Sequence, residues 1–141
     1  MGGVVARRQK HLALIIGREL ASQLATATFI ADASGELVFY NEAAEDILGR
    51  TFAEAGSMSA SEWTSLFQIE DLDGAPLALE ELPGGIALAE GRPAHRRIRI
   101  VGLNGGPRLI SVTAIPLFSH PTELVGMVAF FWEEDGRVGH G

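Results

Sequence analysis

The side chains able to carry chemistry in this chain are few and do not converge. Its four histidines, His11, His95, His120 and His140, fall in a predicted helix, at a strand start, in a turn and in the tail, so no two share ligand spacing on one element. The chain holds no cysteine, which removes disulfides, thiolate metal sites, a cysteine nucleophile and any cysteinyl adduct. Ser59, Ser61 and Ser65 stand outside any G-x-S-x-G elbow, and Glu80 and Glu81 are adjacent, as in a solvated run rather than an acid/base pair. Gly84-Gly85 and Gly105-Gly106 lack both the P-loop lysine and the dinucleotide fingerprint and read as turns. The expectation is a protein that is not an enzyme and has no metal site. Phe29, Phe39, Phe52, Trp63 and Phe67 could surround a small molecule, although aromatic side chains at such spacing more often fill a core.

Length and charge narrow the class further. A chain of 141 residues suits one domain with a real core. A net charge of −7 argues against sequence-independent nucleic-acid binding, which depends on neutralising phosphates. No apolar run approaches the roughly 20 residues of a membrane span, and the short run 12–16 after Arg7, Arg8 and Lys10 is too brief for a secretory signal, so the expected location is cytoplasmic with no membrane partner. Residues 1–18 are basic and residues 42–90 acidic apart from Arg50. Arg92, Arg96, Arg97, Arg99 and Arg108 then return positive charge, either as a solvated face or as a partner-facing surface.

The elements follow from periodicity and punctuation. Leu12, Ile16, Leu20 and Leu24 recur at helical spacing, predicting an amphipathic helix over residues 4–24. Asp32-Ala33-Ser34-Gly35 is turn chemistry between strands at 26–31 and 36–40, and Asn41 is a good N-cap for a helix at 42–48 closed by Gly49. Residues 52–66 are less regular, and residues 68–81 show no clear period. A short helix then ends at Gly91, followed by strands at 94–101, 108–117 and 123–132, the first two joined through Asn104-Gly105-Gly106. The expected organisation is an N-terminal helix (1–24), one domain (25–134) and a flexible tail (135–141).

The run DASGELVFYNEAAEDILG, residues 32–49, resembles the opening of a PAS domain. The later LP-containing helix ending in Gly91, the NGG turn, Ala114-Ile115-Pro116-Leu117 and Glu123-Leu124-Val125-Gly126 are similar to the same family. The resemblance implies an α+β fold: a five-stranded antiparallel sheet in the order 2-1-5-4-3, with short helices over one face enclosing a cavity. It also implies a sensory or signal-transduction module. Where many members carry an Asp-apolar-Thr turn before an output helix, this chain reads Glu133-Glu134-Asp135 and stops at Gly141, so the expectation is a stand-alone module signalling to a separate partner protein.

On that pattern the inward positions of the strands are Ile98, Ile100, Ile110, Val112, Ala114, Val128 and Phe130, with Phe29, Phe39, Ile47, Phe52, Phe67 and Ile86 completing the expected ligand pocket. All are apolar, so a ligand held there should itself be mainly apolar, such as an acyl chain. Flavin-binding members place Asn and Gln where Ile100, Ile110 and Val128 stand here, and they need the missing cysteine. Haem-binding members place a histidine on the helix that here reads GGIALAE, which leaves only His95 nearby. Both cofactors are therefore argued against, and a small apolar molecule is the class left. Leu109, Ile115, Val125, Met127 and Phe131 are assigned to the opposite sheet face, where the stripe of Leu12, Ile16, Leu20 and Leu24 should pack and support a homodimer. The rival reading is a structural adaptor with a filled core and no ligand.

Overall fold

In the computed structural model, which describes Leu14 and residues 24–103 and 106–134, the sheet opens on a tight hairpin. Strands β1 (Ala27–Asp32) and β2 (Leu37–Tyr40) are joined at Asp32. The Asp32 carboxylate accepts from the backbone N–H of Ser34 at 2.9 Å and of Glu36 at 3.1 Å, while Gly35 turns through a φ of 88°. That left-handed backbone, and the Ala60 Cβ only 3.2 Å from where a side chain would start, account for glycine at this position. Helix α1 (Glu42–Leu48) follows β2 directly, capped by Asn41 and closed by Gly49 at a φ of 78°.

Two short helices occupy the stretch where periodicity is weak. Both α2 (Phe52–Ala55) and α3 (Ala60–Phe67) begin with reciprocal capping boxes, Thr51 with Glu54 and Ser59 with Glu62, which satisfy the free N–H groups of their first turns. Next come the brief strand β3 (Ile69–Glu70), a 3-10 turn at Leu79–Glu81 and α4 (Pro83–Glu90), started by proline in its first turn and ended by Gly91. Three long strands complete the domain: β4 (Ala94–Ile100), β5 (Arg108–His120) and β6 (Glu123–Glu133).

The strands form one antiparallel sheet in the order β2-β1-β6-β5-β4-β3. The expected order is preserved, with β3 added at the edge as a sixth strand through Ile69↔Ile100 and Glu70↔Arg99. The helices lie over one face and enclose the main core, which includes Phe29, Tyr40, Trp63, Phe67, Ile98, Ile110, Met127 and Phe131. On the opposite face Ile30 and Val128 are buried beneath Leu14, Val38, Phe39, Ile115, Leu117 and Phe130. Leu14 is helical and is the described residue of the N-terminal segment that reaches this surface. Leu12, Ile16 and Leu20, the Asn104-Gly105 pair and the tail lie outside the described residues, and Leu24 is exposed.

The facing of β6 differs from the expectation. Directly paired residues share a sheet face, and the pairs Phe29↔Ala129 and Val112↔Phe131 put Ala129 and Phe131 on the helix side. Met127 and Phe131 therefore belong to the main core, while Val128 and Phe130 belong to the outer face, the reverse of the predicted assignment. Val125 is buried where the β5–β6 register shifts between Leu117↔Gly126 and Phe118↔Leu124. Phe39 is also displaced. A bulge in β2 pairs Ile30 with Phe39 but Ala31 with Leu37, so Val38 is the extra residue and both Val38 and Phe39 lie on the outer side.

Asn41 holds the opening of the domain together. Its side-chain oxygen accepts from the N–H of Ala44 and of Thr28, each at 3.0 Å, and its amide donates to the carbonyls of Thr26 at 2.9 Å and Leu24 at 3.3 Å. With Asn41 and Thr28 both buried, Asn41→Ala removes the cap and strands the Thr28 N–H away from water. The expected loss is about 2–4 kcal/mol in urea denaturation, above the ~1 kcal/mol of a cap alone.

Tyr40 offers a second measurement. It is the chain's single tyrosine, is buried against Phe52, and donates its hydroxyl to the Arg50 carbonyl at 3.0 Å. Burial, with the negative charge of Glu45, pushes its pKa up to about 12. Because the phenol is held neutral in the fold, its contribution is intact below pH ~10 and is lost as pH rises from ~10 towards ~12. Ultraviolet titration should place the native midpoint near 12 and the urea-unfolded midpoint near 10; equal midpoints would contradict the burial.

Candidate functional site

A cavity of about 70 Å³ lies between the sheet and the helices. Ile98 and Ile100 from β4, Ile110 and Val112 from β5, and Met127, Ala129 and Phe131 from β6 form its floor, with Phe29 from β1 and Ile69 from β3 beside them. Leu48, Trp63, Phe67, Leu82, Pro83 and Gly84 line it from the helical side. The wall is apolar throughout. Trp63 spends its one polar group elsewhere, donating Nε1–H to the Gly35 carbonyl at 2.9 Å, and its ring meets Phe29 edge-on with centroids 5.0 Å apart. Among the described residues no buried side-chain nitrogen or oxygen lacks a hydrogen-bond partner, so no orphaned polar group awaits a ligand.

Of the expected pocket residues, Phe29, Phe67, Ile98, Ile100, Ile110 and Val112 line this cavity. Ala114, Ile47 and Phe52 pack into the main core without reaching it, and Ile86 is half-buried on α4 while the adjacent Ala87 is fully buried. Phe39, Val128 and Phe130 lie on the far side of the sheet. The predicted set omits Met127, Ala129 and Phe131, which face the cavity because of the β6 register, and Leu48, Ile69, Leu82, Pro83 and Gly84. The Leu-Pro-Gly-Gly start of α4 signalled a helix entry, though not that its first turn would form a wall.

The outer sheet face divides in two. Beside the apolar cluster, His95 stacks on the half-exposed Trp132 with centroids 6.1 Å apart and shares a 2.7 Å hydrogen bond with the Thr113 hydroxyl. His95 is thus on the opposite face from the cavity. Arg97 and the buried Ser111 donate to Glu134 at 2.7 and 3.0 Å, and these bonds, that of Arg97 foremost, hold the Glu134 carboxyl below its ordinary pKa. Arg92, Arg99 and Arg108 pair with Glu90, Glu70 and Glu133, and Arg96 donates to the Glu81 carbonyl. The arginines form a ladder of largely exposed pairs, each contributing little, rather than an uncompensated basic patch.

This arrangement of sheet and helices is matched by known proteins. A family model described as the PAS fold matches residues 21–137, and the chain belongs to that family, whose members are typically sensory and signalling modules. Among solved structures it is similar to the Rhodobacter sphaeroides LOV protein, with a TM-score of 0.69 at 18% identity over 91% of this chain and 70% of that one. It is also similar to the PAS domain of nitrogen regulation protein NR(II) from Vibrio parahaemolyticus, with a TM-score of 0.59 at 17% identity over 84% and 98% of the two chains. The PAS domain of Bordetella pertussis BvgS gives a TM-score of 0.57 at 19% identity over 88% and 87%. At these identities the likeness is one of fold. No curated protein sequence matches the chain.

The two faces of β6 can be distinguished by mutation. Phe131→Ala, in the main core, should cost about 3–5 kcal/mol, and Phe130→Ala, half-buried on the outer face, less than half as much. Denaturation of both variants decides the matter, and the reverse order would return β6 to the other phase.

Proposed function

We propose that this PAS domain is a sensory module that takes a small apolar molecule into the cavity, forms a homodimer and passes its signal to a separate partner protein. The observation that carries this reading is the cavity itself: a pocket between sheet and helices whose side-chain lining is hydrocarbon, aromatic or thioether. The apolar lining gives water no hydrogen-bond partners there, so a nonpolar guest gains dispersion contacts without having to replace polar ones. A charged or strongly polar guest would lose its hydration and find no partner. At Ile100, Ile110, Met127 and Ala129 the sheet side of the site has no polar side chain to orient a flavin ring.

Dimerisation is supported by the outer face. Val38 and Phe39 of β2, Ile30 of β1, Val128 and Phe130 of β6, and Ile115 and Leu117 of β5 form one apolar cluster over four strands, about 14 Å across at a spacing of about 4.8 Å, which is wider than a single helix of about 10 Å diameter. A second copy would complete the cover. The adaptor reading, with no ligand, is favoured by the small size of the cavity and is the alternative.

Native mass spectrometry of freshly purified protein, with its absorption spectrum, separates the two. The sensory reading predicts a retained or readily added nonpolar molecule and a complex of twice the 15.0 kDa protomer mass. Phe130→Glu should reduce that mass to one protomer. A bare mass that no nonpolar compound alters supports the adaptor, and a monomeric wild-type protein contradicts the dimer.

A further inference from the structure

Gly84, in the first turn of α4, and Met127, in β6, face each other at the wall of the cavity. A Cβ added to Gly84 would lie 2.6 Å from the Met127 Cε and 3.3 Å from its Sδ, so the thioether rests directly on bare helix backbone. Met127 is 1% exposed, and its end therefore has only the core and the cavity in which to move. Around it the wall is built mainly from β-branched isoleucines and valine, rings and backbone, whose shapes are set by stiff torsions and close packing, with Leu48 and Leu82 beside them. An unbranched thioether with three rotatable bonds is more adjustable than the two leucines and is the most adjustable part of that wall.

The volume gives this contact a consequence. At about 70 Å³ the cavity is roughly half the ~150 Å³ of an engineered apolar cavity that accepts benzene or xenon. We propose that the Gly84–Met127 contact sets the size limit of the site, so that its ligand is a nonpolar molecule of a few heavy atoms, and that a six-membered ring or an acyl chain fits only when the Met127 side chain is removed. This inference rests on the sensory reading and narrows its ligand class from apolar molecules in general to the smallest of them. Gly84 and Met127 act as specificity-determining residues: neither supplies a polar contact, and each works by the space it leaves or takes.

The test is methyl NMR of the full chain, following the Met127 and Ile110 methyl groups, with xenon, benzene and octanoate as probes. In the wild-type protein xenon should shift both methyl groups saturably, whereas octanoate should not. Gly84→Ala places a methyl group where the end of Met127 lies and drives the thioether into the void, so its xenon affinity should fall at least about tenfold. That variant exchanges glycine for a better helix former in a helical turn, which favours its folding. Met127→Ala should bind benzene at least about tenfold more tightly than the wild type does, read at Ile110. Should Met127→Ala not fold, Gly84→Ala decides alone. Unchanged xenon affinity in Gly84→Ala overturns the size limit. Octanoate binding in the wild-type cavity also overturns it, while leaving the apolar-ligand reading standing. No binding of any probe by the wild-type protein overturns both.

Discussion

The position of β6 between β1 and β5 is the constraint on which the rest of the structure depends. A paired residue must share its partner's face, so Phe29 and Val112 fix where Ala129 and Phe131 point, and Met127 follows from Ala31. Once that register is set, the cavity acquires a floor of Met127, Ala129 and Phe131, and the outer face acquires Val128 and Phe130. A shift of one residue would exchange the two sets. Gly126 supports the register through close packing: a Cβ there would lie 2.2 Å from the Ala31 carbonyl oxygen, so β1 and β6 meet at this point only over glycine.

The same strand shows where reading the sequence succeeds and where it stops. The hairpin, the Asn41 cap, the helix closed by Gly91 and the three long strands were legible because each is punctuated by residues with a specific backbone role. The phase of β6 was not. Leu124, Val125, Met127, Val128, Ala129, Phe130 and Phe131 make both faces apolar, and alternation carries no phase when neither face is polar. Phe39 was misplaced by the extra residue at Val38, since a bulge interrupts the period of two on which the assignment relied. Some structure had an unread signal. Thr51-x-x-Glu54 and Ser59-x-x-Glu62 are capping-box patterns that mark the starts of α2 and α3, whereas the two-residue β3 has no pattern of its own and forms by pairing with β4.

Polar and apolar chemistry are separated across the sheet in a way that bears on signalling. The helix side holds the apolar cavity. The outer side carries the apolar cluster next to the polar group of His95, Thr113, Arg97, Ser111 and Glu134. β6 belongs to all of these, with Met127 and Phe131 on the cavity, Val128 and Phe130 in the outer cluster and Trp132 against His95. A guest that moved Met127 would act on the strand whose other face meets Leu14 and the surface proposed for the second subunit, without any polar relay between them. Packed interiors transmit such displacements because they have little free volume in which to absorb them.

The sensory role proposed for this domain depends on the apolar pocket between sheet and helices accepting a nonpolar guest. Diffraction from a crystal of the protein held under xenon tests it most directly. An ordered xenon atom is expected, bounded by Ile98, Ile110, Met127 and Phe131, with the surrounding backbone unmoved. Density for bound water at that position, or xenon found only on the outer face beside Ile30 and Val128, would contradict it.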